Sequence, residues 1–217
     1  MERIICLAIG YACGLFQTAY IYGKMKGIDI RNYGSGNAGT TNTLRVLGPK
    51  AGAIVLLGDI LKTGLAMTIV RLIFRNSAPD ILHLLVMYAG AGAILGHNYP
   101  FYLHFKGGKG IASTAGLVIF FHPILVPIEA LVFFGIFFTT HYVSLGSLLV
   151  YIFLMAQLII MGQFGMWNMP QTALNEMYIV AGCLAVLAFW KHRSNIGRLI
   201  HGNERKTYIS KSNKEEA

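Results

Sequence analysis

Apolar residues run along this chain in blocks of about 17 to 25, the length that crosses a bilayer as a helix. The blocks at 4–23, 51–73, 79–97, 143–164 and 174–191 each predict one such helix. Polar, glycine-rich stretches separate them. One apolar stretch, 110–140, does not resolve so simply. It is too long for one upright helix and short for two full ones. It also carries His122-Pro123 and Pro127 at its middle, where a helix should break. The pattern therefore predicts six spans or seven.

Charge chooses between the counts. Short cytoplasmic loops collect Lys and Arg. Segment 24–50 holds five such residues (Lys24, Lys26, Arg31, Arg45, Lys50) and segment 98–109 two (Lys106, Lys109). The tail holds seven (Lys191, Arg193, Arg198, Arg205, Lys206, Lys211, Lys214). Seven spans put all of these on one face, with the N-terminus outside and the C-terminus cytoplasmic. Six spans would send the basic tail outward. The expected fold is thus an all-α integral membrane protein of seven transmembrane helices, one domain over 1–217. Two short helices meet near His122 to Pro127.

Composition agrees. Residues are 55% hydrophobic and 12% charged, against about 25% charged in a soluble domain, and mean hydropathy is +0.56. The first block has no A-x-A-like cleavage site in its polar flank and is kept as a span, not a signal peptide. The net charge of +9 reads as orientation and attraction to anionic lipid heads, not as nucleic-acid binding. Cys6, Cys13 and Cys183 sit inside apolar runs as small core residues, with no disulfide or metal role.

On the seven-span arrangement every polar stretch reaches the cytoplasmic face: GSGNAGTTNTLRVLGPK at 34–50, GHNYPFYLHFKGGKGIAST at 96–114, YVSLGS at 142–147 and KHRSNIGRLIHGNERK at 191–206. Gly107, Gly108 and Gly110 surround Lys109 and open a helix near Ile111. Glycines admit close backbone approach, a helix N-terminus favours an anion and Lys109 adds charge, a combination suited to phosphate. The spacing is not that of a Walker A loop. In the first loop Ser35, Asn37, Thr40, Thr41 and Asn42 supply hydroxyls and amides, among Gly36 and Gly39. Arg45 supplies a planar fork for phosphate or carboxylate, and Lys50 closes the stretch. His192 and Asn195, three apart, share one face if helical.

Other chemistries lack their residues. His97 and His104 have no acidic partner nearby in the sequence, no metal-ligand constellation appears, and G-S-G-N is not a nucleophile elbow. Asp59 and Lys62, three apart inside a span, read as an ion pair on one helix face. Glu129 is expected near the outer surface, without a role. Gly10, Gly14, Gly90 and Gly92 suit close helix packing. An anion transporter should place its broken segments at the midplane, not in loops on one side. A CDP-alcohol phosphotransferase needs an aspartate-rich metal site, and the aspartates here are few and scattered.

Taken together, G-S-G-N-x-G-x-T-N, G-H-N-x-P…F-x-G-G-K-G and H-R-x-N-I-x-R-L-x-x-G-x-E resemble the three motif regions of the bacterial acyl-phosphate:glycerol-3-phosphate acyltransferases, the PlsY family. All three occur in order, and the similarity covers essentially the whole chain. The resemblance implies a seven-helix protein of the bacterial cytoplasmic membrane with its site facing the cytoplasm. It implies acyl transfer from acyl phosphate to sn-glycerol 3-phosphate, giving lysophosphatidic acid and phosphate. The partners are those substrates, the bilayer and the enzyme that makes acyl phosphate; no cofactor is implied. Carried over residue by residue, Ser35, Arg45, Lys109, His192 and Asn195 hold the essential positions. A serine of YVSLGS joins them, Ser147 in preference to Ser144, and Glu204 matches an acidic structural anchor. The stretch 161–172 departs from the family as a longer outer loop.

Overall fold

The computed structural model describes residues 1–208; Lys211 and Lys214 of the basic tail lie outside the described residues. The described chain is helical: α1 Glu2–Gly14, α2 Thr18–Met25, α3 Thr40–Leu47, α4 Pro49–Phe74, α5 Leu82–Asn98, α6 Ile111–Phe121, α7 Val126–Thr140, α8 Val143–Gln163, α9 Gln171–Lys191 and α10 Arg193–Ile200. Six segments are long and apolar enough to cross a membrane, and Ile111–Phe121 is a shorter apolar helix. The ambiguous stretch breaks where its prolines stand. His122 leaves helical geometry, its Nδ1 accepts from Ile124 N–H, and Pro123 opens a single turn before α7. At about 1.5 Å per residue α6 rises about 16 Å, half a bilayer core.

Close helix packing sits where the small residues are. Cβ atoms built on Gly10 and Gly14 of α1 would fall 2.1 and 2.3 Å from the carbonyl oxygens of Ala89 and Ala93 on α5. On α5, Gly92 and Gly96 meet Leu7 and Tyr11 oxygens at 2.2 and 2.3 Å in the same way. Without a hydrophobic drive between helices in lipid, this backbone contact and its dispersion energy hold α1 to α5. α5 also packs on α4, α6 and α9. Its centre is almost wholly buried.

Two expectations need correction. The first block is not one continuous helix: it breaks between α1 and α2. The buried Gln17 side chain donates there to the carbonyls of Gly14, Gly96 and His97 at 3.1 to 3.2 Å. Glu129 stands in the first turn of α7, just after the break at His122 to Pro127, and is buried there, with Gln157 of α8 donating to its carboxylate. A carboxyl in an apolar helix pair needs such a partner. The 161–172 segment is only partly loop: α8 runs to Gln163 and α9 starts at Gln171, and between them Trp167 is 1% exposed and donates Nε1–H to Leu158 O at 3.0 Å.

Candidate functional site

The four polar stretches meet at one end of the bundle, and each is shaped by local hydrogen bonding. In the first, Asn42 organises the turn. Its Oδ1 accepts from Ser35 N–H at 2.8 Å, and its Nδ2 donates to the carbonyls of Ile30 and Tyr33 at 3.1 and 3.0 Å. Gly34, at φ 61°, leaves no room for a side chain, since a Cβ would fall 2.3 Å from that Oδ1. The turn leaves Ser35 exposed and feeds α3, whose N-terminus at Gly39 has no side-chain cap.

In the second stretch the chain folds back on the end of α5. Gly107 and Gly108 donate their N–H groups to the carbonyls of Asn98 and His97 at 3.3 and 3.1 Å. A helix end leaves carbonyls without intrahelical donors, and here the glycine loop supplies them. Those two amides therefore cap α5 and are taken up within the chain. The glycines themselves are required by proximity. A Cβ on Gly107 would lie 2.0 Å from His97 O, and one on Gly108 would lie 2.0 Å from His97 Nε2 and 2.8 Å from Ala38 O. Ala38 belongs to the first loop, so the two glycine-rich stretches touch at Gly108. Gly110, at φ 83°, opens α6.

The last two stretches close the site. Lys109 donates to the side-chain oxygen of Asn195. Asn195 in turn donates to Glu204 Oε1 at 2.6 Å, and Ser144 donates to the same oxygen at 2.9 Å. Arg198 Nε donates to Glu204 Oε2 at 2.7 Å. Glu204 is thus the hub of α8, α10 and the tail. Burial alone would raise its carboxyl, but the bonds from Asn195, Arg198 and Ser144 hold it below the usual carboxylate range. Arg45 reaches the tail as well, donating to Arg205 O at 3.2 Å and to Thr207 Oγ1. Arg205 donates to Gly34 O at 3.3 Å, and Lys191 to Asn98 O at 3.3 Å.

Electrostatics follow from this crowding. Burial, reinforced by Arg198, pushes the Lys109 ammonium down to about 8. Burial and then Lys109 push His192 down to about 4, so its ring is neutral at pH 7. His192 Nδ1 lies 2.8 Å from Ala188 O. A carbonyl only accepts, so Nδ1 carries the proton and Nε2 keeps its lone pair.

The structure thus brings together Arg45, Lys109, Asn195, Ser144 and Glu204, with His192 within electrostatic reach of Lys109. Ser147 is buried and bonds back to Val143 O at 2.7 Å on its own helix. Lys50 stands exposed in the first turn of α4. Gly36 is exposed in the turn, Asn37 and Thr41 are half-buried, and the Thr40 hydroxyl is buried without a partner among the described residues. Among the described residues there is no cluster of His, Cys, Asp and Glu able to hold a metal.

Sequence reasoning missed the contacts of Arg205 and Thr207 with the first loop, which have no motif. It also missed the acidic neighbour of His97: Asp59, far off in the chain, pairs with Lys62 at 2.7 Å, and its Oδ1 is 3.6 Å from His97 Nδ1. The polar segment G-H-N beside an intramembrane Asp and Lys was the available signal.

Comparison with known proteins places this geometry. Residues 4–202 match the family model described as glycerol-3-phosphate acyltransferase. The chain is 42% identical over 212 residues to a glycerol-3-phosphate acyltransferase of Bacillus cytotoxicus, covering 97% of this chain and 98% of that one. It is 40% identical over 208 residues to glycerol-3-phosphate acyltransferase 2 of Bacillus cereus, covering 95% and 96%. Its fold is similar to the crystal structure of PlsY, an integral membrane glycerol 3-phosphate acyltransferase, in the glycerol 3-phosphate form. There the TM-score is 0.81, with 32% identity and 96% of each chain covered. The lysophosphatidic acid form of PlsY matches with a TM-score of 0.77 and 31% identity, over 96% of this chain and 97% of that one. The chain belongs to the PlsY family of integral membrane glycerol-3-phosphate acyltransferases.

Proposed function

We propose that this protein moves a fatty acyl group from acyl phosphate to the 1-hydroxyl of sn-glycerol 3-phosphate, directly and without an acyl-enzyme, as the first acylation of phospholipid synthesis. The products are 1-acylglycerol 3-phosphate and phosphate. One observation carries the reading. Arg45 and Lys109 converge from different loops, and each is bonded to neutral acceptors, the tail carbonyl and hydroxyl or the Asn195 amide. An incoming phosphate, a stronger acceptor for a cation, displaces such partners.

In this reading Arg45, Lys109, Ser35 and the first-loop groups of Asn37, Thr40 and Thr41 gather the two phosphates. Gly36 and Gly39 let the backbone approach, Lys50 adds charge at the rim, and Gly110 with the opening of α6 faces one anion. Ser144 and Asn195 carry the Glu204 hub to Lys109, and Ser147 lines the same wall. The hydroxyl oxygen of glycerol 3-phosphate bonds to the acyl carbon while the bond from that carbon to the phosphate oxygen breaks. The hydroxyl proton goes to the departing phosphate. His192, neutral with its Nε2 lone pair free, accepts a hydrogen bond from the hydroxyl and orients it. A base depressed to about 4 is too weak to keep the proton at pH 7, which favours phosphate as the final acceptor. Holding both reactants supplies about 7–11 kcal/mol, and cations aimed at the developing charge about 3 kcal/mol more.

Seven spans, an N-terminus outside and a site at the cytoplasmic face of the inner membrane complete the proposal. The helix break at His122 and the distribution of Lys and Arg support it. The acyl-phosphate-producing enzyme is the natural supplier at that face.

The test uses purified protein in detergent with palmitoyl phosphate, or palmitoyl-CoA, and glycerol 3-phosphate. Phosphate and lysophosphatidic acid released in equal amounts from acyl phosphate alone, and lost in His192→Ala and Ser35→Ala, are expected. Absence of turnover from acyl phosphate by folded protein, or equal use of the thioester, overturns it.

A further inference from the structure

Below the glycine-rich loop lies a polar cluster that the proposed transfer does not use. Lys62, 5% exposed, and Asp59, 0% exposed, sit inside α4. Taking an ion pair this deep from water costs several kcal/mol per ion, and an apolar pair of the same size often serves stability as well. In a membrane such groups mark function. The geometry around Lys62 is fully specified. An ammonium has three N–H donors, and three acceptors surround Nζ. They are Asp59 Oδ1 at 2.7 Å, the carbonyl of Phe16 at 2.8 Å in the break between α1 and α2, and His97 Nδ1 at 2.8 Å. Thr18 donates its hydroxyl to Asp59 Oδ1 at 3.1 Å, holding the carboxylate from the other side.

That saturation fixes His97. Its Nδ1 accepts a hydrogen bond from the Lys62 ammonium and so carries no hydrogen of its own. Asp59, at 3.6 Å from Nδ1, is beyond hydrogen-bond range and takes no proton from it. The ring is then neutral with its hydrogen on Nε2. Nε2 is the atom that lies against Gly108, where the first loop's Ala38 also touches. The neighbouring side chains repeat the theme. Both amide atoms of Asn98, 1% exposed, lack partners among the described residues, and its Oδ1 is 2.9 Å from a Cβ built on Gly110. The buried Ser113 hydroxyl, in the first turn of α6, also lacks one.

We infer that His97 is an anion-contacting residue of this site, presenting Nε2–H between the first loop and the glycine-rich loop with the Asn98 amide beside it, and that Lys62 and Asp59 are positioning residues that lock its tautomer. This rests on the acyl-transfer reading for the identity of the anion, a phosphate group of one substrate. It gives the seat side-chain donors in place of the Gly107 and Gly108 amides, which are committed to α5.

The experiment labels the whole protein with ring-15N histidine in detergent and records two-bond 15N–1H spectra, with His97→Gln used to assign the ring. sn-Glycerol 3-phosphate and inorganic phosphate are titrated separately. The expected result is a neutral ring protonated on Nε2 at pH 7, with an Nε2 signal that shifts as either anion saturates. His97→Leu should lower kcat/KM about 10- to 100-fold, the worth of a hydrogen bond to a charged group, and His97→Gln should recover part of it. Lys62→Met should return a mixture of tautomers; if that variant does not fold, the wild-type spectrum decides alone. A ring protonated on Nδ1, or an Nε2 signal unmoved by both anions at saturation, overturns the inference. Phosphate-responsive His97 in protein that does not consume acyl phosphate supports this inference and sinks only the acyl-transfer reading. Turnover with a silent His97 does the reverse.

Discussion

Two glutamates hold arginines at opposite ends of this molecule, and they do different work. Glu176, near the start of α9, takes Arg3 of α1 at 2.8 Å and the Tyr88 hydroxyl at 2.8 Å. Its network stops there, joining three helices at a half-exposed rim: the two charged side chains are 39% and 30% exposed. Glu204, at the loop end, has a side chain only 4% exposed. Its network continues through Asn195 to Lys109, a cation that has no direct carboxylate partner among the described residues. A carboxylate that neutralises its arginine and ends is an anchor. One that spends its oxygens on Arg198, Ser144 and Asn195, and leaves Lys109 to an amide, leaves that cation in the arrangement the proposed transfer needs for an incoming anion.

The largest effect should come from Glu204→Gln. Glutamine keeps the shape but loses the charge, so Arg198 is released into a cluster that already holds Lys109 and Arg45. Asn195 and Ser144 then compete for one weaker acceptor. A hydrogen bond to a charged group contributes about 1.5–3 kcal/mol, so kcat/KM should fall about 10- to 100-fold in protein still folded by circular dichroism. Undiminished activity in acyl-transfer assays would make Glu204 as local as Glu176.

How much of this contrast was legible in the sequence depended on whether a contact leaves a local mark. The break in 110–140 was readable, because proline removes a donor and clashes with the preceding turn wherever it stands. The break at Gln17 was not. Nothing in LFQTA disrupts a helix locally, and the break exists because carbonyls from α5 and an ammonium from α4 arrive there. The same division runs through the site. Lys109 among its glycines and Arg45 stood out as phosphate-type residues in polar loops, and the family resemblance added His192 and Asn195. The partners of Arg45 did not, since one is the backbone carbonyl of Arg205, which any residue could supply. Glycine content was visible, but its use was misread. Gly108 is small because His97 needs the space, a fact of tertiary contact.

A smaller effect should appear in the pH profile, where Lys109 separates the loop end from Arg3, whose guanidinium does not titrate in the working range. In the proposed transfer Lys109 grips an anion only when protonated, and burial lowers its value to about 8. The contribution is therefore full below about pH 7 and lost as pH rises through 8, leaving kcat/KM about tenfold down at pH 9, as one proton's titration requires. In Lys109→Arg the charge persists, and the alkaline limb should move out of range even if the plateau is lower. A limb that stays near pH 8 in that variant would assign it to another group.

The smallest effect should come from Glu176→Gln, and it bears most directly on the comparison. The Arg3–Glu176 pair is partly solvated, and such pairs contribute about 0–1 kcal/mol. Glutamine can still accept from Arg3 and Tyr88, so part of the contact survives. For a chain of this size that loss lowers Tm by about 2–4 °C at most. Acyl transfer should stay within about twofold of wild type, because no described bond carries the Glu176 network toward Lys109, and sites this far apart add independently. Both quantities come from one preparation, a melting curve and a rate. A rate reduced as far as in Glu204→Gln, with Tm unchanged, would mean that the packing of α1 and α9 on α5 transmits to the loops. The glycine contacts of α1 on α5 end at Gly14, beside Gly96 and His97, so they are the route such a coupling would have to take.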